Sequence, residues 1–169
     1  MKKKESQVSY LLDDNVKFCV RSVKIDLWLK YRDSQNEMRQ HAVIVLKNYK
    51  NKREVVHPIT QFIFEKWKFK RYNTQKKHAD NLVKFLNWVL VTKRRTYKIC
   101  SLRDLTPLHG SGFLNELTRQ QKARGTVQNA ERTLTEFFYY LAKKGYLNEL
   151  AKSDFVKKDI PQVSKKIIL

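Results

Sequence analysis

NTQKKHADNLVKFLNWVLVT, residues 73–92, and TVQNAERTLTEFFYYLAKK, residues 126–144, decide the fold of this chain. In the first, Ala79, Leu82, Leu86 and Val89 recur at spacings of three and four; in the second, Val127, Ala130, Leu134, Phe137 and Leu141 do the same. Such spacing gathers apolar side chains on one side of a helix, so each segment buries one face and solvates the other. The solvated faces carry Lys76, Lys77 and Lys84 on the first helix, and Gln128, Asn129 and Arg132 on the second. Helices that pack by one face and offer cations and amides from the other suit a nucleic-acid backbone.

Working outward, Pro58 fits the first turn of a helix that runs to about Lys70 on Ile59, Phe62, Ile63 and Trp67, and His57 before it is pushed towards extended geometry. Asn73 or Thr74 is the expected N-cap of the helix ending at Thr92. Lys93–Lys98 reads as a basic connection. Thr106 caps a helix beginning at Pro107, with Gly110 and Gly112 in its first turns and Phe113, Leu114 and Leu117 on its apolar side. Gly125 is expected to end that unit, Thr126 to cap the next helix, and Gly145 to stop it. Upstream, Val16–Tyr31 alternates with period two and shifts phase near Arg21–Ser22, which predicts a bent strand. Asp33–Asn36 reads as a turn, Ala42–Leu46 as a strand and Tyr49–Arg53 as a loop. Together they predict a small β-hairpin or ribbon, with a short helix over Asn36–Lys47 as the competing reading. The chain thus divides into a leader (1–15), a β-containing extension (16–56), a mainly α domain (57–148) and a linker (149–169).

The formal net charge of +20 on 169 residues repels itself in a compact state, and a polyanionic partner offsets it. Between Lys66 and Lys98 stand eleven cations and one acid, Asp80, so half of the excess sits in about a fifth of the length. A merely soluble lysine-rich surface carries interspersed acids, and these are almost absent here. Membrane readings fail on length: Glu5–Tyr10 supplies no apolar segment after the basic Met1–Lys4, and Trp88–Val91 is far too short to span a bilayer. Cys19 and Cys100 are isolated thiols, which fits a reduced interior such as a bacterial cytoplasm or nucleoid.

Catalytic and metal motifs do not emerge. His41, His57, His78 and His109 show no ligand spacing and no paired cysteine, so no metal or other cofactor is expected. His78 borders an apolar stripe and reads as a packed histidine. Gly110-Ser111-Gly112 lacks the strand and lysine of a phosphate loop and suits close helix packing or a distorted first turn. Tyr139-Tyr140 flanks Phe137, Phe138 and Leu141 and reads as packing.

The order of signals resembles the N-terminal, DNA-clamping half of tyrosine recombinases. Asn73-Thr74 followed by Leu82-Val83-Lys84-Phe85-Leu86-Asn87-Trp88 looks like that family's "T…L..FL.WL" helix. Leu102-Arg103-Asp104-Leu105-Thr106 resembles its "L.DLT" segment. Phe113–Leu117, then Gly125-Thr126-Val127 with Phe137–Leu141 and Gly145-Tyr146-Leu147, resemble its third and fourth helices. The resemblance covers about Val56 to Leu169. It implies a four-helix core-binding bundle forming one jaw of a clamp on duplex DNA, with Lys165–Leu169 leading towards a catalytic domain. The family's Arg-Lys-His-x-x-Arg-His constellation and downstream tyrosine nucleophile do not occur in this sequence, so this chain alone is not expected to be an enzyme.

The expected partner is therefore double-stranded DNA, with a second copy of the chain on paired recombination sites. Lys76, Lys77, Lys84, Arg94, Arg95, Arg119 and Arg124 are the expected phosphate ligands, with Thr74 and Thr126 beside them. Gln128, Asn129 and Arg132 can reach base edges. Competing readings are a stand-alone regulator of the same fold, an RNA-binding helical protein and a structural adaptor. The regulator is disfavoured by an ending at a typical linker position, the RNA reading by the lack of an exposed aromatic platform on the basic helix faces, and the adaptor by the unexplained charge.

Overall fold

The computed structural model describes residues 15–26, 38–99 and 101–147. The leader, the turn at Asp33–Asn36, the end of the first expected strand, Cys100 and the linker lie outside the described residues. Within them the order is β1 (Val16–Asp26), β2 (Met38–Asn48), β3 (Glu54–Val56), α1 (Thr60–Trp67), α2 (Tyr72–Leu86), α3 (Arg94–Tyr97), α4 (Pro107–Arg119) and α5 (Arg124–Lys143). A π-helical stretch, Asn87–Thr92, prolongs α2, and a 3-10 turn, Leu102–Asp104, precedes α4. The described chain is mainly helical, with an antiparallel sheet of order β1-β2-β3.

Both amphipathic stripes face inward: Ala79, Leu82, Leu86 and Val89 are fully buried, as are Ala130, Leu134, Phe137 and Leu141. Aromatic rings fill the space between the helices. Phe62 meets Phe137 and Tyr140 at 5.3 Å and Trp67 at 5.0 Å, and Phe85 meets Phe113 at 5.7 Å and Phe138 at 5.8 Å. Each such ring, fully buried, contributes about 1.5–3 kcal/mol of hydrophobic stabilisation. Gly110 lets α4 approach α5, since a Cβ there would lie 2.8 Å from Cε2 of Phe138.

The sheet belongs to the same core. Val16 and Phe18 of β1 and Ala42, Ile44 and Leu46 of β2 join the helical cluster. Unpaired strand edges are closed by side chains of the helices, which satisfies backbone groups that burial would otherwise strand. On the β1 edge, Asn87 accepts from the Phe18 N–H at 2.8 Å and donates to its carbonyl at 2.9 Å. On the β2 edge beyond β3, the Thr60 hydroxyl bonds both backbone groups of Ile44 at 3.0 Å, and Gln75 Oε1 accepts from the Ala42 N–H at 3.3 Å.

Several local expectations need correction. β1 and β2 pair without interruption from Val16↔Asn48 to Asp26↔Met38, so no bulge or slip marks Arg21–Ser22. The apolar phase changes there because the strand runs past the helices: Val16 and Phe18 are buried, whereas Arg21 and Ser22 are exposed. Asn36–Lys47 contributes strand β2 from Met38 onward, and the third strand follows the loop. The N-cap of α2 is Arg71, not Asn73 or Thr74, since half-buried Tyr72 joins the core and Gln75 Nε2 bonds the Lys70 carbonyl, fixing an earlier start. Gly125 and Thr126 lie inside the first turn of α5, which is capped by Ala123. The stop after α4 is instead Gln121, at φ +54°: its N–H bonds the Thr118 carbonyl and that of Lys122 bonds the Leu117 carbonyl. Lys93–Lys98 contains the short α3. Thr106 and Gly145 take the expected roles. The Thr106 N–H donates to Nδ1 of His109 at 3.0 Å, and Gly145, at φ +71°, ends α5.

Candidate nucleic-acid interface

α2 and α5 lie side by side, and beyond their buried aromatic contacts part of the seam is polar. His78 Nδ1 meets the Thr133 hydroxyl at 2.9 Å, Asn81 Nδ2 donates to the same hydroxyl at 3.2 Å, and that hydroxyl donates to the Asn129 carbonyl at 2.8 Å. His78 stacks flat on Trp67 at 4.1 Å. Burial pushes its pKa down to about 4, and the nearby charges of Arg132 and Lys77 push the same way. A neutral, packed histidine with two expected DNA ligands beside it therefore marks the seam.

The seam opens into a cleft of about 540 Å³ between α2, the α4–α5 turn and β1. Lys84 and Thr126, both expected on DNA, line it together with Lys17, Lys122, Asn81 and Gln120. The acid in its wall is Glu116, whose carboxylate is held down by Gln120 and Arg119. The cleft thus offers three ammonium groups, amides and two hydroxyls around one acid that is already bonded. Lys17 and Lys122 had no signal in the sequence: β1 reaches the cleft because Asn87 pins it to the end of α2.

Other expected ligands are distributed less favourably. Lys77 is exposed beside the seam, and Thr74 is half-buried in the first turn of α2. Lys76 is paired with Asp80 at 2.7 Å and Arg119 with Glu116 at 2.9 Å, exposed pairs that exchange for phosphate at little cost. Asn129 donates to the Gly125 carbonyl at 2.6 Å, so its amide is engaged on its own helix. Gln128, two positions from both Thr126 and buried Ala130, lies on roughly the opposite side of α5, as does Arg124; neither shares the cleft with Thr126. Arg94 and Arg95 stand on α3 just past Thr92, which lines the cleft.

A second groove, of about 390 Å³, lies at the other end of α2. Phe69, in the turn joining α1 and α2, is 66% exposed there, with Lys68 Nζ 4.9 Å from its ring centre. The basic helix faces lack an aromatic platform, but this turn supplies one.

Among the described residues, no group of three His, Cys, Asp or Glu is placed to hold a metal, and no helix is long and apolar enough to cross a membrane. Cys19 is a free, half-buried thiol on β1. Comparison with protein-family models, curated proteins and solved structures found no match.

Proposed function

We infer that this chain binds duplex DNA along the α2–α5 seam and its cleft, as a non-catalytic clamp similar to that of tyrosine recombinases. In this reading α1, α2, α4 and α5 act as a four-helix core-binding unit, and the strands close one side of it. The observation that carries the reading is the cleft, where Lys17, Lys84 and Lys122 converge from three separate elements around amide and hydroxyl groups. Such a set neutralises a phosphate backbone while its neighbours reach towards base edges. Arg132, exposed and near enough for its charge to act on His78, is the expected base reader nearest the seam, with Gln128 one turn before it on the same face of α5. Strand cleavage and joining need an in-line nucleophile, cations on the transferring phosphate and a general acid, and these belong to a catalytic domain. The test is duplex binding by a Lys84→Glu, Lys122→Glu protein. Affinity should fall by about 10- to 100-fold, the scale of two lost charged contacts. Unchanged affinity contradicts the assigned surface.

A further inference from the structure

The groove at the start of α2 combines three requirements that different ligands would meet separately. Lys68, Lys70 and Arg71 surround it, and none of its described lining residues is acidic. They stand at the beginning of a 15-residue helix whose first turn has neither a side-chain cap nor an acidic residue, so its partial positive charge is unanswered. This part of the groove calls for an anion. Phe69 offers a flat apolar ring to solvent, which calls for another flat ring.

The third requirement comes from His41, which lines the groove at 1% exposure and has no partner for Nε2. Which role the other ring nitrogen, Nδ1, takes is decided by Gln75. Its Nε2 must donate to the Lys70 carbonyl, and its Oε1 accepts from the Ala42 N–H. The bond between Oε1 and His41 Nδ1, at 3.1 Å, therefore carries its proton on Nδ1. In the tautomer with its single proton on Nδ1, Nε2 is a buried acceptor in need of a donor. A phosphodiester supplies no such donor, whereas a nucleotide supplies one through a base amine or imine N–H.

We propose that this groove binds one unpaired nucleotide, its phosphate at the start of α2 and its base on Phe69. The site goes beyond the duplex reading and uses none of that surface. An unpaired nucleotide in a strand and a free mononucleotide share this chemistry.

The experiment measures binding by fluorescence anisotropy to three labelled probes: a blunt duplex, the same duplex with a single-stranded tail, and the tail strand alone. The tail should raise affinity by about tenfold, within the range that stacking one base on an aromatic ring contributes. Phe69→Ala, exposed and unchanged in charge, should abolish the gain and leave blunt-duplex affinity as it is; Arg71→Gln should also remove the gain. Mononucleotide that cancels the gain assigns the groove to a single nucleotide, and a gain that survives it assigns the groove to nucleotides held in a strand; both uphold the site. Tail-strand binding that depends on Phe69, with no blunt-duplex binding, upholds the groove and contradicts the duplex surface. Equal affinity for blunt and tailed duplex, a tail gain untouched by Phe69→Ala, or failure to bind any probe overturns the proposal.

Discussion

The two ends of α2 use one structural device for two chemistries. At each end a side-chain amide closes an edge of the sheet: Gln75 bonds Ala42 at the start, and Asn87 bonds Phe18 at the finish. At each end a basic depression opens beside that amide. The depression at the start has an exposed ring, a buried unpartnered ring nitrogen and no acid among its described lining residues; the cleft at the finish has amides, hydroxyls and a bonded acid. The lesson is that pinning a sheet across a helix brings a cation of the sheet to each depression, Arg39 at the start and Lys17 at the finish, while neighbouring side chains set the character of each.

Acidification acts on the seam and on the finish of α2, and should have the largest effect. His78 stacks on Trp67 on the α5 side of α2, and His57 meets the Phe18 ring at 5.3 Å beside the Asn87 pin. Burial lowers both histidines to about 4. The unfolded chain takes up these protons near pH 6.5, so the contribution is fully present above that pH and is lost as pH falls towards 4. Denaturant midpoints should show a loss on the order of 6 kcal/mol across that window; a flat profile contradicts the neutral, buried state of both rings.

Removing the pins one at a time separates the ends. Gln75→Leu strands Ala42 N–H, the Lys70 carbonyl and His41 Nδ1, and should cost about 3 kcal/mol. Asn87→Leu strands two partly buried groups of Phe18 and should cost about 2 kcal/mol. Urea unfolding of the two proteins checks this order, and a larger loss for Asn87→Leu would reverse the assignment of the more buried edge.

The smallest effect sharpens the cleft alone. Gln121 holds the left-handed conformation that glycine holds at position 145, at a cost of roughly 1 kcal/mol for a residue with a Cβ. Gln121→Gly should therefore raise stability by up to ~1 kcal/mol while keeping the turn that brings Gln120 and Lys122 to the cleft. Thermal unfolding reads the change, and a lower midpoint would show that the glutamine side chain matters more than its backbone.

How far the sequence disclosed this molecule depended on periodicity. The stripes of α2, α4 and α5 were legible because repeated spacing leaves one solution for burial. β3 was not, because Glu54–Val56 is three exposed residues with no period to read. The start of α5 was misplaced because Thr126 has the chemistry of a cap while the Schellman turn at Gln121 carries no glycine to announce it. Within the candidate site, Lys84 was singled out from a helix face and Thr126 as an expected cap, whereas Lys17 and Lys122 reach the cleft only through tertiary packing. Asn87, an amide inside the apolar run from Phe85 to Val91, was the available clue that something polar had to be met there. Charge counting motivated the proposed nucleic-acid partner but could not rank Gln128 against Arg132, which stand four residues apart on one face of α5.

The most direct test of the central reading is the salt dependence of duplex binding by the wild-type chain. With about five to eight phosphates neutralised, log K should fall against log salt with a slope of about −5 to −7. A slope near zero would mean that the clustered cations do not meet a nucleic-acid backbone, and would contradict the account.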